Sequence, residues 1–233
     1  MMIDVLYETS RCLAVNKPAG ILTQAPPGID SLTVRVKEYL TQTEEHTVNY
    51  LGVPHRLDRP VSGVILFGKD SRTTRFLSEQ FEARQIAKTY WAVVSGSVQE
   101  KQGTLRNYIR KVPDKALAEV VPPIQPDARE AILHYKVLKH FELDAKPFTL
   151  LEIKLETGRM HQIRLQLSVF GFPILGDATY GSEIPFGEHF DDERQREIAL
   201  HSRSISFCGP GNKETVSLTA PLPDLWKSTG LPS

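Results

Sequence analysis

The amino-acid sequence predicts an α+β domain built on a mixed, largely antiparallel sheet with flanking helices. Strand-like stretches dominate, and stretches with helical spacing lie far apart. Hairpin-like turns join one strand to the next, where a doubly wound fold would alternate strand and helix. No convincing linker interrupts the chain. Its 233 residues are therefore expected to form one compact domain over 1–233, long enough to bury a proper core.

The stretch VLYETSRCLAVNKPAGIL (5–22) reads as strand, turn, strand and closes on the turn residues Pro18 and Gly20. Residues 31–40 carry apolar side chains at 32, 36 and 40, which is helical spacing, with Ser31 as the N-cap. Residues 41–55 read as loop. VILF (64–67) is a buried strand, and 71–84 an amphipathic helix capped by Ser71. A strand at 89–96 ends on Gly96. Residues 113–130 are polar and Pro-rich and read as loop. Two strands, 131–143 and 147–158, meet at the turn DAKP. Residues 160–171 turn helical and stop at Gly171, with Met160, Ile163 and Leu167 facing the core. FPILGDATYG (172–181) is turn-rich, and 198–207 and 214–223 are late strands.

Composition narrows the class. No segment is long or apolar enough to span a membrane, and the first residues lack the pattern of a secretory signal. The two cysteines, Cys12 and Cys208, sit in strand-like stretches and read as buried small hydrophobes in a reducing, cytoplasmic setting. Lys plus Arg and Asp plus Glu each number 28, so the basic excess common in nucleic-acid binders is missing. Charge is nevertheless uneven: residues 103–115 are basic, and 183–197 are acid-rich, as expected of a solvated loop or short helix.

Several motifs are set aside on physical grounds. GVILFGKD (63–70) matches the start of a phosphate-binding loop, but its middle is four residues that favour a buried strand, and Asp70 stands at the magnesium-binding hydroxyl position. The seven histidines, at 46, 55, 134, 140, 161, 189 and 201, have no metal-ligand spacing and read as surface or hydrogen-bonding residues. Ser62 lacks the glycine pattern of a serine nucleophile and reads as a turn residue bonding its own backbone.

PHRLDRPVSGVIL (54–66) stands out. It puts one carboxylate, Asp58, between Arg56 and Arg59, on a turn just before a buried strand. Neighbouring guanidinium groups favour the ionised form, and an ionised, positioned carboxylate is a nucleophile. A turn at a strand mouth keeps it accessible on rigid scaffold. LETGRMHQIRLQL (155–167) adds Arg159 and His161 in a turn and Arg164 on the following helix. His161 and Arg164 are three residues apart and share a face, where they could grip phosphate or pair with a carboxylate.

Taken together, HRLDRPVSG (55–63) and TGRMHQIR (157–164) closely resemble the RluA-type pseudouridine synthases. LYETSRCLAVNKPAG (6–20), KTY (88–90), LGDATYG (175–181) and LH (200–201) match further segments of that family in the same order, so the resemblance spans about 4–223. It implies a pseudouridine-synthase-type catalytic domain with a central RNA-binding cleft. It implies an enzyme that detaches uracil from ribose, rotates it and rejoins it through carbon 5, in tRNA or rRNA, with neither cofactor nor metal. Asp58 would be the nucleophile, Tyr90 would lie against the base, and Arg164 would pair with Asp58. Arg56 would enter the RNA to hold a flipped nucleotide. His55, Lys88, Arg159 and His161 would contact the substrate or support those that do, and Lys17 would be an RNA contact or structural.

Val61 and Gly68 depart from the usual pattern, which has Thr and Ala there. No separate N-terminal RNA-binding domain is expected, and a monomer is. The rival class is a non-catalytic RNA-binding or chaperoning protein that kept the fold; the presence of Asp58, Tyr90 and Arg164 together argues for the enzyme.

Overall fold

The computed structural model describes residues 3–43, 50–188, 190, 196–211 and 214–228. The chain opens with a hairpin, β1 (Asp4–Glu8) and β2 (Cys12–Lys17), followed by α1 (Leu32–Thr43). β3 (Ser62–Gly68), α2 (Ser71–Glu82) and β4 (Ala87–Ser95) come next. Then run β5 (Gln102–Lys111), β6 (Ala118–Val120), and the long hairpin β7 (Arg129–Leu143) and β8 (Lys146–Leu155). α3 (Gln162–Val169), a 3-10 turn at Ala178–Tyr180, β9 (Leu200–Cys208), β10 (Thr215–Thr219) and α4 (Asp224–Ser228) complete it.

Ten strands form one sheet in the order β1-β2-β3-β9-β4-β8-β7-β5-β6, with β10 pairing β9. Among the described residues only β3 and β9 pair in parallel, so the sheet is mixed and largely antiparallel, as the sequence predicts. That pairing is short, Ser62 with His201 and Gly63 with Ser202. It needs the glycine: Gly63 has φ +114°, and a Cβ there would meet the Ser202 carbonyl oxygen at 2.3 Å.

The sheet is buried on both faces around β2 and β3. Alternate residues explain this: Leu13, Val15, Ile65 and Phe67 enter the main core beneath α1, while Cys12, Ala14, Val64 and Leu66 enter a second cluster beneath α2. α1 contributes Leu32, Val36 and Leu40, the periodic residues of its sequence, and α2 contributes Leu77. Each such side chain stabilises by roughly 1.5–3 kcal/mol on burial. A third cluster, Ile109, Ala118, Ala131, Leu165 and Tyr180, ties β5, β6 and β7 to α3.

Several expectations need correction. α1 continues to Thr43, so residues 41–43 are helix and not loop; 44–49 lie outside the described residues. Asp70 caps α2 in place of Ser71, accepting the Thr73 amide at 2.7 Å, because its carboxylate is the stronger acceptor and sits one residue earlier. Residues 118–120, read as loop, form β6. Cys208 is only half-buried, at the end of β9. Met160 is exposed, since α3 begins after it and only Ile163 and Leu167 reach the core. Ser62 opens β3, and its hydroxyl bonds His201 Nδ1 at 2.8 Å instead of its own backbone. His46, His189 and part of the acid-rich stretch lie outside the described residues.

Candidate active site around Asp58

The loop that carries Asp58 is splinted by the first thirty residues. β2 pairs β3 in the register Lys17 to Gly63, which puts Lys17 beneath the turn. The Lys17 side chain is fully buried, and its Nζ donates to the carbonyls of Pro18, Arg59 and Val61 at 2.9, 3.2 and 2.7 Å. Three ammonium hydrogens thus meet three acceptors. Burial pulls this amine down to about 7, against the charges of Asp58 and Glu197. Lys17 is therefore structural, one of the two roles left open by the sequence. Thr23 Oγ1 donates to the Leu57 carbonyl and accepts the Leu57 amide. Gly20 N donates to the Arg59 carbonyl, and Arg59 Nε donates back to that of Gly20. The Val61 amide closes the turn on the Asp58 carbonyl at 3.1 Å. Every residue flanking Asp58 is held, and its side chain remains 32% exposed.

The opposite wall comes from α3. The Gln162 side chain accepts from Thr157 Oγ1 and the Arg159 amide and donates to the Ile132 carbonyl, which folds TGRMHQ into a tight turn against β7. His161 takes a left-handed conformation there, φ 51°, at the head of the helix. Its Nε2 lies 3.7 Å from Asp58 Oδ2 and its Nδ1 2.8 Å from Tyr180 Oη. Burial lowers its pKa, with Asp58 pulling the other way. Arg164 Nη1 donates to the same Oδ2 at 3.4 Å. Asp58 Oδ1 takes no hydrogen bond from any described residue.

The sequence expectation for Asp58 needs one change. Its cationic neighbour is Arg164, more than a hundred residues away, and not Arg56 or Arg59. Arg59 is turned to Gly20, and Arg56 is exposed. Arg164 itself is shared. Its Nε and Nη2 form a bidentate fork on Asp177, at 2.7 and 2.8 Å, leaving Nη1 for Asp58. Asp177 is 1% exposed. Burial opposes the Arg164 charge, and the Asp177 carboxylate outweighs it, so the guanidinium stays cationic.

Tyr90 lies at the centre of the sheet on β4, paired with Ile153 of β8 and Ser202 of β9. Burial pushes its hydroxyl up to about 12; a hydrogen bond with the Ser202 side chain works against this, and the Asp58 charge adds to it. Lys88, on the same strand, lies 5.3 Å from the centroid of the Phe81 ring, and burial lowers its pKa. Arg159 donates through Nε to the Glu130 carbonyl at 3.0 Å, beside the turn.

His55 is anchored at the base of the Asp58 loop. Its Nε2 accepts the Leu66 amide at 3.0 Å, and its ring stacks on Phe81 at 4.4 Å. Burial holds it neutral, down to about 3. The site also holds groups not singled out above: Thr23, Asp177, Tyr180 and Ser202. Asp177 and Tyr180 stand in LGDATYG, a segment the sequence comparison matched without a role. Among the described residues no three His, Cys, Asp or Glu side chains converge as metal ligands would.

A buried, forked arginine, one accessible carboxylate and a sheet-centred tyrosine define the class of site, and comparison with known proteins gives the family. Residues 11–169 match the RNA pseudouridylate synthase family, and the chain belongs to it. Its members are isomerases acting on uridine in RNA. The chain is 33% identical to tRNA pseudouridine synthase C of Haemophilus influenzae over 97% of this chain and 95% of that protein. It is 32% identical to ribosomal large subunit pseudouridine synthase D of Xanthomonas campestris pv. campestris, covering 95% of this chain but 66% of that one. The fold matches the human RNA pseudouridylate synthase domain containing 4, with a TM-score of 0.78 at 23% identity, over 97% of this chain and 91% of that one.

Proposed function

We propose that this chain converts specific uridines of structured RNA to pseudouridine, with Asp58 as nucleophile on a flipped-out nucleotide. One observation carries this. Asp58 Oδ2 lies within 3.7 Å of two donors, while Oδ1 takes no hydrogen bond from a described residue, on a loop locked at both sides. Such a carboxylate is aimed and free to attack, at either the ribose or the uracil ring. A glycosidase would want two carboxylates flanking the bond. Asp177 cannot be the second, because both its oxygens are spent on Arg164. The same base is detached and put back, which needs no water and asks for no cofactor or metal.

Tyr90 would lie against the target base, its hydroxyl kept protonated by burial. Arg56, exposed on the Asp58 loop, would fill the gap left by the flipped nucleotide. Lys88 and Arg159 would meet phosphates, supplying local positive charge in a chain of zero net charge. tRNA is the leading substrate, because the tRNA enzyme is matched over nearly its whole length and the ribosomal one over two thirds. The acting form would be a cytoplasmic monomer.

The test is tritium release from carbon 5 of uracil. Purified protein is incubated with tRNA and ribosomal transcripts labelled there. Forming the new carbon–carbon bond expels the label. Release from one RNA and not from the others supports both reaction and target. Binding without release from any RNA would move the chain to the non-catalytic class.

A further inference from the structure

We propose that Tyr180 is the positioning residue for both donors that face Asp58: its hydroxyl fixes the tautomer of His161, and its ring face seats the Arg164 guanidinium. This extends the proposed reaction at Asp58 and rests on it. The geometry is specific. Tyr180 sits in the third apolar cluster, 8% exposed, so its ring cannot swing. Its Oη receives the Ala118 amide at 3.0 Å and lies 2.8 Å from His161 Nδ1. Among the described residues the one competing acceptor for its hydrogen, the Ala118 carbonyl, is at 3.5 Å. The shorter path wins: Tyr180 donates to Nδ1. His161 must then carry its own hydrogen on Nε2, the nitrogen that faces Asp58 Oδ2. Hydrogen bonds run from the Ala118 amide through Tyr180 to His161, whose Nε2–H then faces the nucleophile across 3.7 Å. The other tautomer would point a lone pair at a carboxylate.

The ring does the second task. The Arg164 Cζ lies 5.0 Å from its centroid, a cation–π contact that backs the guanidinium while Asp177 grips its edge. The ring of His161 meets the same tyrosine edge-on at 5.6 Å. One side chain thus sets the position of both groups that hold Oδ2.

A titration follows. The charged and titratable groups facing His161 are Asp58, Arg164, Asp177 and Tyr180. While Nδ1 holds the Tyr180 hydrogen, His161 can become a cation only by breaking that bond. Removing the hydroxyl frees Nδ1, and His161 protonates at higher pH. A cation there would tie Asp58 down, so the acid limb of activity should move up with it.

The experiment has two independent readouts. Nitrogen-15 NMR of histidine-labelled, RNA-free protein, assigned with His161→Gln, reads tautomer and titration without any turnover. The expected result is a neutral Nε2–H imidazole in wild type and a midpoint raised by about one pH unit in Tyr180→Phe, the worth of one hydrogen bond. Turnover on the responsive RNA should show kcat down about fivefold to tenfold in Tyr180→Phe with KM nearly unchanged. Adding Tyr180→Phe to His161→Gln should cost almost nothing more, because the hydroxyl acts through His161. An Nδ1–H tautomer in wild type would overturn the proposal without any variant. So would additive losses in the double variant. Absence of turnover on every RNA would instead count against the reaction proposed above, and the NMR would still decide the tautomer.

Discussion

The two walls of the site are held in different ways. The Asp58 loop is fixed mainly through main-chain groups: carbonyls of Leu57, Arg59 and Val61 held by Thr23, Gly20 and Lys17. The α3 wall is fixed by side chains acting on side chains: Asp177 on Arg164, Tyr180 on His161, Gln162 on Thr157. The nucleophile's place therefore depends on several anchors acting together. Each donor depends on one or two partners. Single substitutions should hurt the second wall's chemistry selectively and the first wall's stability more evenly.

Removing the group between the walls gives the largest effect. Asp58→Asn keeps the shape and should cut turnover by at least about a thousandfold, with no comparable change in unfolding temperature, since the Asp58 side chain is 32% exposed and its hydrogen bond to Arg164 is long at 3.4 Å. Asp177→Asn comes next. It leaves the buried Arg164 charge without its fork, which should cost about 3–5 kcal/mol in denaturant unfolding. Turnover should fall about tenfold to a hundredfold as Arg164 swings. If stability drops while kcat holds, the side-chain wall is not what aims the donor.

On the other wall, Lys17→Met keeps the length and removes all three donors. Stability should fall by about 2 kcal/mol from the unsatisfied carbonyls. Turnover should fall about tenfold through a looser Asp58 loop. A loss far larger in activity than in stability would mean that Lys17 has a direct part in the chemistry.

The smallest effect on turnover comes from a pH dependence of stability beneath both walls. His201 is fully buried between the Ser62 hydroxyl and the Ala220 carbonyl, and burial lowers it to about 4. Its folded value lies below the unfolded one, so the unfolded chain binds the proton first. The contribution of this group should be flat above pH 6.5 and fall as pH drops from there towards 4, by up to about 3 kcal/mol. His55 adds in the same direction. Urea midpoints measured across that range should flatten in His201→Gln.

Much of this was legible in the sequence, for physical reasons. α1, α2 and α3 carry apolar residues at helical spacing, and β3 is an unbroken apolar run because both its faces are covered. β5 was hidden because it is half-exposed and basic, QGTLRNYIRK, so neither alternation nor an apolar run marks it. β6 and α4 are too short to show a period. Asp58 and Arg164 stood out by their own surroundings and Tyr90 through resemblance; Arg164 reaches Asp58 at 3.4 Å, and the Asp58 charge is felt at the Tyr90 hydroxyl. What the chain could not show was how charges are shared. Nothing in HRLDRP says that Arg59 turns to Gly20, or that a fork on Asp177 leaves Arg164 one nitrogen for the nucleophile. Those are long-range facts, set by how α3 packs beside the 3-10 turn.

The most direct test is a nucleoside digest of one responsive tRNA transcript after incubation with wild type and, separately, with Asp58→Asn of equal thermal stability. Pseudouridine formed by the wild type and absent from the variant digest is the expected result. Pseudouridine at a comparable level with Asp58→Asn would contradict the assignment of Asp58 as the nucleophile.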